Sequence, residues 1–79
     1  MVTYSKIEAT KDNVLYAYYV EGNENDKGIV SLDLRTKEAT VKEFAPSDSF
    51  KRYGFHLMTA LEDMATRECL KDSGTIMWY

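Results

Sequence analysis

Cysteine and histidine are nearly missing from this sequence, with one of each, Cys69 and His56, in 79 residues. A lone cysteine closes no internal disulfide, and a zinc site would lack its usual cysteine partners. No apolar run approaches the roughly 18 residues of a membrane helix, and Met1-Val2-Thr3-Tyr4-Ser5-Lys6 lacks the basic and then apolar regions of a signal peptide. A cytoplasmic protein without a membrane segment is expected. Basic residues are also short: ten Lys and Arg stand against thirteen Asp and Glu, a formal charge of −3, with no basic stripe to displace counterions from a nucleic acid. Nucleic acid is therefore a disfavoured partner, and the acidic excess is too small for a DNA mimic. A glycine-rich phosphate cradle, a nucleophile elbow, a paired-histidine metal helix and a cysteine pair are all missing, so the reading is non-enzymatic and without cofactor.

What is present is 44% hydrophobic residues, 13% of the chain aromatic, and 29% charged residues that keep it in solution. A chain this short holds one core, so residues 1–79 form a single domain of modest stability that dimerisation would help.

Thr3 to Ala9 reads as a first strand and the polar cluster Thr10-Lys11-Asp12-Asn13 as a turn. Val14 to Val20 is apolar on both faces and belongs mid-sheet. Gly22 to Gly28 is the longest exposed loop. Val30, Leu32 and Leu34 then alternate with Ser31 and Asp33 in a half-buried strand. A tight hairpin over Arg35 to Glu38, in which Lys37 sits where a glycine would be easier, leads to the strand Ala39–Phe44. Past Pro46, any of Ser47, Asp48 and Ser49 can cap a helix. Phe50, Tyr53, Leu57, Ala60, Leu61 and Met64 recur at the helical period as its buried stripe, which should stop near Ala65 because Glu68 falls on the same line. Thr75 to Tyr79 forms a last strand, with Ile76 and Trp78 sharing one face. The fold class is α+β, an antiparallel four- to five-stranded sheet with one helix packed on one face, in the order β-β-β-β-α-β. The expected strand order is 5-1-2-3-4.

The run Arg52-Tyr53-Gly54-Phe55-His56, followed at the terminus by Gly74-Thr75-Ile76-Met77-Trp78-Tyr79, resembles small uncharacterised proteins of Firmicute-type bacteria. The resemblance implies a compact bacterial domain and transfers no functional residue.

His56 is where any base or ligand working near neutral pH would begin, but its helical neighbours Tyr53, Thr59, Arg52 and Ala60 include no carboxylate to orient it. Cys69 would lie about 220° around a continued helix from His56, so the two do not form a nucleophile pair, and a half-buried inert thiol is expected. The loop Asn23 to Gly28 superficially suggests a calcium loop. The match fails because Lys27 takes a ligand position and Leu34 stands where a bidentate Glu belongs. What remains is an aromatic surplus. Tyr16 and Tyr18 lie on the strand face opposite Leu15, Ala17 and Tyr19, and one helix covers only one face. Phe55 points about 160° from Leu57, away from the buried stripe. Tyr16, Tyr18 and Phe55 are thus the candidate partner-binding residues, on an aromatic sheet face that the helix leaves open. The expected function is a protein-interaction module or homodimer. The alternative is a binder of small ligands or single-stranded nucleic acid that stacks flat groups on these rings.

Overall fold

A computed structural model describes residues 1–77, so what is expected of Trp78 and Tyr79 lies outside the described residues. Its elements are β1 (Val2–Ala9), β2 (Asn13–Val20), β3 (Lys27–Asp33), β4 (Ala39–Glu43), α1 (Arg52–Thr66) and β5 (Ser73–Ile76). The strands form one antiparallel sheet in the order β4-β3-β2-β1-β5, with α1 packed on one face. The expected fold class and strand order both hold. Ile76 pairs with Val2 and Thr75 with Thr3, so the last strand is integral to the sheet, but it runs Ser73–Ile76 and leaves Met77, expected within it, outside.

Short side chains set the turns. Thr10 accepts from the Asn13 amide at 3.1 Å and closes the β1–β2 turn. Asp33 Oδ1 accepts from the Arg35 and Thr36 amides at 2.8 and 3.2 Å, an Asx turn that starts the β3–β4 hairpin. Lys37 follows with φ 63°, in the left-handed region where a glycine would avoid the clash of a Cβ.

The N-cap position falls to Lys51, at φ 61°, and to none of the three expected residues, but Asp48 serves the helix start from three positions back: its Oδ1 accepts from the Tyr53 amide at 3.1 Å and its Oδ2 from the Gly54 amide at 2.8 Å. Ser47 instead bonds Asp26 through its amide and its hydroxyl. The helix ends in a Schellman pair. Glu68, at φ 57°, donates its amide to the Ala65 carbonyl, and the Cys69 amide reaches the Met64 carbonyl.

The buried stripe of α1 is Gly54, Leu57, Leu61 and Ala65. Phe50, which the period places on this stripe, does not belong to it, because the helix begins only at Arg52; Phe50 is 88% exposed. Leu57 and Leu61 pack against Val2, Tyr4, Val14, Tyr16, Tyr18, Val20, Val30 and Leu32, the inward residues of β1, β2 and β3.

Two sheet glycines make room for two of these tyrosines. Gly28 lies opposite Tyr18 and Gly74 opposite Tyr4. A Cβ on Gly28 would stand 2.1 Å from Tyr18 Cε1, and one on Gly74 would stand 2.8 Å from the Tyr4 hydroxyl. Each ring therefore lies across its partner strand in the place of a side chain. The expected result is that Gly28→Ala costs about 1–3 kcal/mol through overpacking, or prevents folding. Urea melts check it, and an unchanged midpoint would show that the Tyr18 ring can move aside.

Candidate functional site

The sequence-based candidates divide sharply. Tyr16 and Tyr18 do share a face opposite Leu15, Ala17 and Tyr19, but it is the face under α1: they are 1% and 0% exposed. They are core residues, and the expectation that they form an open binding face is corrected. The reason is pairing. β2 aligns with β3 so that Tyr16 stands opposite Val30 and Tyr18 opposite Gly28, on the side where Val14 meets Leu32. Those aliphatic residues need the helix, and the tyrosines go with them.

Their hydroxyls find partners inside. Tyr18 donates to Asp48 Oδ2 at 3.0 Å and accepts from the Ala45 amide at 2.9 Å. Tyr16 donates to the Lys71 carbonyl at 3.0 Å, and its ring meets Tyr4 edge to face at 5.7 Å. Burial pushes all three phenols above the ordinary tyrosine range; for Tyr18 the hydrogen bond to Asp48 adds to burial.

The open face carries the odd partners of the same strands. Ala17 lies at its centre and is fully buried, paired with Ser5 on one side and Ile29 on the other. Leu15, Tyr19 and Ile29 surround it and are half-buried. Thr3, Ser5, Ser31, Thr40 and Thr75 add a hydroxyl-bearing surround, with Glu8, Asp33, Glu43 and Lys27 farther out. Leu15, Tyr19 and Ile29 are the residues that sequence reasoning missed. The signal was in β3: Ser31 and Asp33 mark the solvent side, and hairpin pairing carries that side across to Leu15 and Asn13.

Phe55 is 46% exposed on the outer side of α1, as expected, and meets Phe44 edge to face at 5.7 Å, with Lys51 Nζ 5.4 Å from the Phe44 ring. It lies far in register from the open face, on the helix that covers the other side of the sheet. His56 is exposed on the same outer surface, in a shallow depression with Arg52, Thr59 and Asp63. Cys69 is exposed rather than half-buried: it lies in the turn that follows the left-handed residue Glu68, and the next residue, Leu70, is the one that packs against the core. In the loop after β2, Asn23 Oδ1 accepts from the Asn25 amide at 3.0 Å and serves the turn itself, while Asp26 accepts from Ser47 and ties the loop to the segment before α1. Among the described residues, no group of three or more His, Cys, Asp and Glu side chains is placed to hold a metal ion, and no helix is long and apolar enough to cross a membrane.

No protein-family model matches the chain, and neither does any curated protein or solved structure.

The buried phenols give a pH dependence of definite sign. Their folded pKa values are raised above the unfolded value near 10, so the stabilisation is complete below that pH and is lost as pH rises past it. The melting temperature should hold between pH 7 and about 9 and fall steeply above about 10. Thermal melts followed together with tyrosinate absorbance check this. Full ionisation of every tyrosine while the fold stays intact would contradict the placement of Tyr4, Tyr16 and Tyr18.

Proposed function

We propose that this chain is a non-enzymatic protein-interaction module that docks a protein partner on the open sheet face, through Leu15, Tyr19 and Ile29 around Ala17. One observation carries the reading: the single helix covers one face of the sheet, and the other presents a half-buried apolar centre within a surround of hydroxyls. A flat surface of this kind suits a protein with a similar uncharged patch, because tyrosine contributes a large apolar area and keeps its hydroxyl for the rim. Phe55 is a separate apolar contact on the outer helix. The acids Glu8, Asp33 and Glu43 around the face, against Lys27, oppose a phosphate backbone, so stacking of single-stranded nucleic acid ranks below a protein partner. A reducing, cytoplasmic setting suits the exposed free thiol of Cys69.

A photo-crosslinking residue in place of Thr3, which pairs with Tyr19, tests the surface. Expression in cells should give a discrete adduct to another protein, and adding Tyr19→Ser should remove it while leaving the thermal melt nearly unchanged. No adduct, or one indifferent to Tyr19→Ser, would contradict the proposal.

A further inference from the structure

The two edges of the sheet are not alike. β4 carries Lys42 and Glu43, and its pairing with β3 slips at a bulge between Ile29 and Val30. Charges and bulges of this kind keep an edge from pairing with another strand. β5, Ser73-Gly74-Thr75-Ile76, has no charge, no proline and no bulge against β1. Among the described residues it is an unprotected edge.

The direction of its free hydrogen-bonding groups follows from one bond. The Lys6 amide donates to the Asp72 carbonyl at 2.6 Å, in the same register that pairs Ser5 with Ser73 and Tyr4 with Gly74. Lys6 and Asp72 therefore form a hydrogen-bonded pair, and antiparallel alternation turns the backbone groups of Gly74 and Ile76 toward β1 as well. Those of Ser73 and Thr75 point out of the sheet. An antiparallel strand is the chemistry that satisfies them, and a second β5 is self-complementary because no like charges meet across the axis.

We propose that β5 pairs with β5 of a second copy of this chain, antiparallel about a two-fold axis at Thr75, which joins the two five-stranded sheets into one. Centring on Thr75 gives reciprocal N–H to C=O bonds between the two Thr75 residues and sets their side chains together on the open face, a favourable cross-strand pair. It also sets Ile76 of each copy beside Gly74 of the other, at the mouth of the groove between β5 and α1 that Tyr4, Ala60 and Met64 line. Centring on Gly74 would instead face two residues without side chains. The axis runs perpendicular to the sheet, so both helices lie on one side and the two open faces form one continuous surface on the other. The pairing does not use Leu15, Tyr19 or Ile29, so it stands or falls apart from the proposed docking surface.

Light scattering on the full chain, with variants, tests it. The wild type should have the mass of a dimer at high micromolar concentration. Thr75→Pro removes an outward N–H and the paired side chain while taking no hydrogen bond from the β1 ladder, and should raise the dimer dissociation constant at least tenfold with the circular dichroism spectrum nearly unchanged; Thr75→Lys, which sets two cations at the axis, should do the same. Thr75→Cys in a Cys69→Ser background should oxidise to a covalent dimer, since a hydrogen-bonded pair holds its Cα atoms about 5.5 Å apart, within disulfide reach. Thr40→Cys on β4 in that background should not. A monomeric wild type, or a dimer unmoved by both Thr75→Pro and Thr75→Lys, would overturn the proposal, as would Thr40→Cys crosslinking as readily as Thr75→Cys.

Discussion

The carboxylate of Asp48 is 3% exposed and accepts three hydrogen bonds, from the Tyr18 hydroxyl and from the Tyr53 and Gly54 amides. Through it, the middle of the central strand holds the start of the helix. A buried carboxylate short of donors is costly, so the site selects the one arrangement in which the helix N-terminus, the phenol and the Ala45 amide converge. Two glycines permit that convergence: Gly28 lets the Tyr18 ring lie across β3, and Gly54 lets the helix approach, since a Cβ there would stand 3.1 Å from Phe44 and 3.2 Å from the Tyr18 hydroxyl. The docking of α1 is thus a polar contact framed by missing side chains, and the leucines fill in behind it.

The same contact reinforces the choice that the aliphatic residues Val14, Val30 and Leu32 make of which face of the sheet is covered and which is free. With Tyr18 tied to Asp48 and Tyr16 tied to the Lys71 carbonyl, β2 must turn Leu15, Ala17 and Tyr19 outward. Period-two alternation carries that choice across each neighbouring strand, so the hydroxyls of Thr3, Ser5, Ser31 and Thr75 lie on the open side with them. The surface proposed for docking is therefore a consequence of where the helix is anchored.

Much of the fold was legible in the residues. The apolar run Val14–Val20 marks the central strand, the leucines of α1 mark its inner face, and Lys37 stands at the strained turn position. Asp48 was legible as one of three candidates at the helix start, because capping by a short polar side chain is local chemistry. Its bond to Tyr18, 30 positions back, is not local and leaves no spacing to read. The candidate site went wrong at that step. Tyr16 and Tyr18 look like surface residues when tyrosine is weighed by its polar tip alone, and become core residues once each hydroxyl has a buried acceptor. Phe50 was misplaced for a simpler reason: the helix begins after the left-handed residue Lys51, and a period has no meaning before its element starts.

A double-mutant cycle on Tyr18→Phe and Asp48→Asn reads the anchoring contact directly, because both variants nearly keep side-chain volume and the loss of an acceptor for one helix amide is common to both Asn chains and cancels in the cycle. The coupling energy from urea melts of the four chains should be about 1–3 kcal/mol, the range for a buried hydrogen bond to a carboxylate. Additive costs, with no coupling beyond error, would mean that the helix is held by its leucines alone and that Tyr18 and Asp48 are incidental neighbours.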